Sequence, residues 1–209
     1  MLDLLLRHYR GVFDRIYLYS KSSTIYKNWD PLKKYVERTL GVDQQKEKTF
    51  FDEFDAQALE EQMDLQMQVA EEAKKMKMKT IPQVLWIFDD LVDDASVMHS
   101  NSNLIATLAI RSRHFDGNLW VSTQKFRALA NVIRINLTSL FIWPALSNRL
   151  ERKAIIEDIS GYYSEKQIEE LLQHVSKRKH GFLFVNLKAN DPNEMFQDSL
   201  IKKLRIKQN

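Results

Sequence analysis

The chain contains no cysteine. Disulfides, thiolate zinc sites and cysteine nucleophiles are excluded together, and the composition suits a reducing compartment. Glycine and proline are scarce, five and four in 209 residues, which argues against low-complexity sequence or a long linker. No apolar run approaches the ~18–20 residues of a membrane span. The opening Met1-Leu2-Asp3-Leu4-Leu5-Leu6 lacks a basic start and is cut short by Arg7, His8 and Arg10, so it does not read as a signal peptide. The expectation is a cytoplasmic protein that is not secreted. The five histidines (His8, His99, His114, His174, His180) have no metal-ligand spacing, and no Ser/His/Asp arrangement can be argued.

What is present is ordinary in bulk and informative in detail. Hydrophobic residues make up 44% and charged residues 28%, as in a globular protein. The net charge of +3 is compatible with nucleic acid without demanding it, so local clusters matter more than the total. The length fits one domain, taken as residues 1–209, with a motif-bearing core over about 82–143 and a C-terminal part over 147–209.

Strand and helix signals alternate. Strands are expected at Val12–Ser20, Thr49–Phe54, Pro82–Asp90, Asn118–Ser122, Leu140–Trp143 and Gly181–Val185. Helices are expected around Leu2–Tyr9, Pro31–Leu40, Asp55–Lys79, Asn103–Phe115, Ala128–Ile135, Ser147–Ile159 and Ser164–Lys177, the last opened by a Ser164/Gln167 capping box. This alternation predicts an α/β fold with a mostly parallel sheet and helices on both faces. The tail from Ser199 reads as basic.

Val84-Leu85-Trp86-Ile87-Phe88-Asp89-Asp90 is the sharpest signal. Five apolar residues suit a strand buried on both faces, and ligands of open α/β sheets sit at the carboxyl ends of such strands. An acidic pair there has the Walker B pattern: the first acid holds Mg²⁺, and the second positions or activates a water. The same pair also fits two loop acids that follow a core strand. Ser122-Thr123-Gln124 closes the next strand, and in a parallel sheet Gln124 would end on the edge that carries Asp89 and Asp90. A neutral amide there can bond both a γ-phosphate oxygen and the lytic water. Arg111-Ser112-Arg113-His114 ends the intervening helix. Arg111 or Arg113 could supply an arginine finger, or the pair could simply complement the helix dipole.

In this order, Ile87-Phe88-Asp89-Asp90-Leu91, Arg111-Ser112-Arg113-His114, Ser122-Thr123-Gln124 and Ile133-Arg134-Ile135-Asn136 resemble the poxvirus and giant-virus DNA-packaging ATPases, the viral branch of the FtsK/HerA superfamily of P-loop motors. The resemblance is strongest from Pro82 to Trp143. It implies a three-layer, RecA-like P-loop NTPase domain that binds ATP and Mg²⁺, forms a homo-oligomeric ring and drives double-stranded DNA into a capsid, with capsid or portal components as further partners. The location would then be the viral factory or the virion. By the same resemblance Asp89 is the Mg²⁺ acid, Asp90 the water-activating acid and Gln124 the sensor. Arg113 or Arg111 is a finger acting on a neighbouring subunit, and Arg134 and Asn136 belong to a motif of unassigned role.

The GxxxxGK[ST] loop of that family is absent. Met1 falls at about the helix that follows it, so the expectation is a partial ATPase domain lacking its first strand and phosphate loop: a fragment, a misplaced gene start or a degraded copy. A lost central strand would expose sheet edges and invite aggregation. The alternative function is an inactive remnant that binds DNA or a motor subunit through basic residues: Lys125, Arg127 and Arg134, then Lys177-Arg178-Lys179-His180, then Lys202, Lys203, Arg205 and Lys207. Asp89-Asp90-Leu91-Val92-Asp93-Asp94 also matches the DDxxD of isoprenoid synthases, but those are all-helical and need a second acidic motif that this chain lacks.

Overall fold

A computed structural model describes residues 1–23, 27–91, 104–144, 148–161 and 163–206. Asp93, Asp94, His99 and Lys207 lie outside the described residues. The chain divides into two compact units, Met1–Thr123 with Ala128–Ile133, and Gln124–Arg127 with Arg134–Asn209.

The first unit is built on four parallel strands: β1 (Arg15–Ser20), β2 (Phe50–Phe51), β3 (Val84–Asp89) and β4 (Gly117–Ser122), in the order β2-β1-β3-β4. The apolar runs of β1 and β3 conceal a period of two, because alternate residues of a strand face opposite sides. Ile16 and Leu18 of β1 and Leu85 and Ile87 of β3 lie in an aliphatic layer, where they meet Leu5 and α1 (Asp30–Arg38) through Leu32, Tyr35 and Val36. Tyr17, Tyr19, Trp86 and Phe88 form the aromatic face: Tyr19 stacks between Phe51 at 4.5 Å and Phe88 at 4.9 Å, and Tyr17 stacks on Trp86 at 6.1 Å. The long α2 (Ala56–Lys75) covers this side.

Two glutamines of α2 satisfy polar groups on that apolar face. Gln62 Oε1 accepts from the Tyr19 hydroxyl at 3.0 Å and from Trp86 Nε1 at 2.9 Å. Gln66, itself buried, donates from Nε2 to the carbonyls of Pro82 and Phe115, both at 2.8 Å. Asp55 caps α2 by accepting from Ala58 N–H. The helix ends at Lys75, earlier than the expected Lys79; Lys77 has a φ of 53°. The expected helix over 103–115 is split into α3 (Leu104–Arg111) and a 3₁₀ turn, Ser112–His114.

The second unit is not parallel. Its strands β5 (Ser139–Ile142), β6 (Leu183–Asn186), β7 (Phe196–Asp198) and β8 (Lys202–Leu204) run antiparallel in that order. The short helix α4 (Asn131–Ile135) joins the two units in sequence. Helices α5 (Arg149–Ile159) and α6 (Glu165–Ser176) bring Ile155, Ile156, Ile159, Ile168, Leu172 and Val175 into its core. The Ser164/Gln167 capping box forms as expected, and Arg152 clamps Glu169 with bonds of 3.0 and 2.6 Å. Among the described residues β4 pairs only with β3, and β5 only with β6. No described helix is long and apolar enough to cross a membrane.

Two outcomes follow. A Cβ at Gly117 would fall 2.7 Å from the Trp86 ring and 2.9 Å from Phe115, so Gly117→Ala should lower stability in urea by about 1–3 kcal/mol. Burial raises the pKa of the Tyr17 and Tyr19 hydroxyls, with the Glu47 hydrogen bond adding to the effect at Tyr17. The folded state therefore favours the neutral phenols. Their contribution is complete below the unfolded value of about 10 and is lost as pH rises above it. The melting temperature should be flat with respect to these groups at neutral pH and fall in the alkaline range, with a shallower fall in Tyr17→Phe/Tyr19→Phe.

Candidate nucleotide site

Parallel strands deliver their carboxyl ends to one edge, and at that edge Asp89 pairs in register with Ser20 of β1 on one side and Ser122 of β4 on the other. The Ser20 hydroxyl, fully buried, donates to Asp89 Oδ2 at 3.1 Å. Ser20 Oγ is 2.9 Å from Ser22 Oγ, which accepts from Trp29 Nε1 at 3.3 Å. This chain of polar groups fixes one oxygen of a half-buried carboxylate and, among the described residues, leaves acceptor capacity on the other. A hard oxygen donor so placed suits Mg²⁺ or its water shell. The sequence reading did not single out Ser20 or Ser22. The signal was a hydroxyl at the end of one core strand, level with an acid at the end of the next.

Asp90 breaks the strand. Its φ of 54° is left-handed, and its N–H donates to Ser122 O at 3.1 Å. The kink leaves the Asp90 side chain exposed beside the partly buried Asp89. The two acids are therefore unequal: one is held by the protein, the other is free to meet solvent.

The remaining expected residues fall elsewhere. Arg111 and Arg113 are exposed and lie just before the amino end of β4, whereas Asp89 is at the carboxyl end of β3. Six residues of strand put roughly 17 Å between those edges. Both arginines therefore lie at the sheet edge opposite the one that carries Asp89. Gln124 follows Ser122 and Thr123 in sequence, is exposed and opens the second unit. Lys125 is also exposed there.

In that unit the Arg127 N–H donates to Glu151 at 2.9 Å and its side chain is exposed. Arg134 is engaged by the protein: Nη1 meets Asp158 Oδ2 at 2.9 Å, and the guanidinium lies 5.6 Å from the Phe126 ring centroid. Its buried Nε has no partner among the described residues.

The chain matches no family model and no curated protein. It is similar in structure to the genome packaging NTPase B204 of Sulfolobus turreted icosahedral virus 2 in complex with AMPPCP. That match has a TM-score of 0.53 and 14% identity, over 97% of this chain and 86% of that one. The AMP complex of the same NTPase matches at a TM-score of 0.50 and 15% identity, over 93% of this chain and 98% of that one. At this identity the likeness is one of fold. The chain has a P-loop NTPase-like α/β fold, with a parallel sheet flanked by helices.

Ser20→Ala should remove the one donor to Asp89 among the described residues. The expected loss is about 0.5–1.5 kcal/mol of stability, read from denaturant unfolding.

Proposed function

We propose that this chain is the ATPase of a viral DNA-packaging motor, working as a homo-oligomer, with a ring as the assembly, on double-stranded DNA. The observation that carries the reading is the pairing of a Ser20-anchored Asp89 with a solvent-facing Asp90 at the carboxyl edge of a parallel sheet. The structural likeness to a genome packaging NTPase supports it through the fold. Mg²⁺ bound with ATP supplies charge neutralisation at the phosphates. Asp89 holds and orients the metal's shell. Asp90 accepts a proton from the attacking water, and Gln124 reports on the γ-phosphate. Arg113, with Arg111 as the alternative, reaches the site of the next subunit. Residues 1–209 hold no GxxxxGK[ST] loop, so this reading assigns the cradle of the β- and γ-phosphates to a segment outside them. Capsid or portal components are the further partners, and the place of action is the viral factory or virion.

The missing loop also favours a second reading, a catalytically inactive module that binds DNA or a motor subunit. Titration calorimetry with Mg²⁺-ATP separates the two. The ATPase reading expects measurable binding that Asp89→Ala abolishes. It also expects an Asp90→Asn variant that still binds but turns over about 10²–10⁴-fold more slowly. Absence of Mg²⁺-ATP binding by folded protein that includes the phosphate-cradling segment would leave the inactive module.

A further inference from the structure

The two basic clusters of the C-terminal part are separated by more than twenty residues of sequence, yet they meet in one place. Asp198, the last residue of β7, is buried. Its Oδ2 lies 3.3 Å from Arg178 Nη1 and 3.8 Å from His174 Nε2, both at the carboxyl end of α6. Its Oδ1 accepts from the Ser199 hydroxyl at 2.8 Å, and Ser199 Oγ accepts from the Phe182 N–H. Across the hairpin Asp198 pairs in register with Lys202. One neutralised acid thus ties the segment after α6 to the β7–β8 hairpin.

Around it stand cations unpaired with any acid among the described residues. Lys177, Lys179, Lys202 and Arg205 are exposed and have no acidic partner among the described residues. Lys203, by contrast, pairs with Glu194. Lysines on an outer strand can serve to block strand addition, which covers Lys202. That explanation does not reach Lys177 and Lys179, which follow a helix. Backbone strain gathers at the same spot: His180, Ser199 and Leu200 have φ values of 62°, 51° and 59°, with no glycine among them. Left-handed non-glycine residues cost stability and persist where surrounding contacts hold them.

We propose that the α6 carboxyl end and the β7–β8 hairpin form a phosphate-contact surface for the backbone of duplex DNA, carried by Lys177, Lys179 and Lys202. The choice of DNA rests on the proposed function, but the surface does not require an active ATPase. Two further features favour phosphates. The cations come from two separate segments, so they form a patch and not a single flexible tail. Their companion apolar group is one side chain, Ile201, too little to anchor a membrane-binding face. The surface also differs from Arg134, whose guanidinium is already committed to Asp158.

The test is fluorescence anisotropy of the full chain with a short labelled duplex across a salt series. The wild type is compared with Lys177→Ala/Lys179→Ala/Lys202→Ala and with a charge-matched control, Lys21→Ala/Lys34→Ala/Lys46→Ala. Circular dichroism melts establish that each variant is folded. The proposal expects the hairpin variant to lose at least about tenfold in affinity, and its log–log salt slope to fall by about 2–3. The control should match the wild type. Equal losses in both variants, or an unchanged hairpin variant, would overturn the surface. So would tighter binding to phosphatidylserine vesicles or polyglutamate than to duplex at the same salt. Failure of Mg²⁺-ATP binding by protein that includes the phosphate-cradling segment, alongside an intact hairpin effect, would reject only the ATPase reading.

Discussion

One side-chain amide makes the aromatic face of the parallel sheet possible. The Tyr19 hydroxyl and the Trp86 indole N–H each need an acceptor once α2 has covered them, and Gln62 Oε1 serves both. Because Tyr19 belongs to β1 and Trp86 to β3, the same oxygen fixes the helix against two strands at once. Four residues on, one helical turn away, Gln66 binds two backbone carbonyls, including that of Phe115 just before β4. The helix that buries the sheet therefore also fixes its polar accounts. Its bonds to Pro82 and Phe115 hold the segments that enter β3 and β4.

The central strands β1 and β3 sort their two faces by chemistry. In these two strands the aliphatic side chains meet α1 and the N-terminal turn and the aromatic ones meet α2, while Phe50 and Trp120 of the flanking strands join the aliphatic side. This sorting was invisible as simple hydrophobicity, since both classes read as apolar. The continuous run in β3 nevertheless reads as a strand, because its short length suits a strand buried on both faces better than a helix. The capping box at Ser164 was equally legible, since its two partners lie within one helical turn. β7 and β8 were not. Three-residue strands carry too little alternation to register, and Lys202-Lys203 has no strand signal of its own. Their pairing is set by tertiary contacts and the β7–β8 turn. The sequence pattern therefore carries no sign of the antiparallel character of the second unit, and its basic end resembles a tail.

The site divides in the same way. Asp89 and Asp90 stand out as candidates because an acidic pair after an apolar run is a local pattern. Ser20 does not, because its relevance lies in the register between two strands distant in sequence. The arginines show the converse. Their order along the chain suggests closeness to the acids, yet a helix that returns antiparallel to its strands leaves them at the other edge. Order in sequence gives the neighbouring strand correctly but not the end of it.

The left-handed backbone at Asp90 bears on which acid can stand there. Aspartate is one of the few side-chain-bearing residues that enter this conformation readily, since its short carboxylate can bond locally. Glutamate, with its extra methylene, has no such compensation and would tend to pull the chain back toward the extended path. The bend thus selects the shorter acid. Any change that straightened it would re-aim the carboxylate without altering its charge.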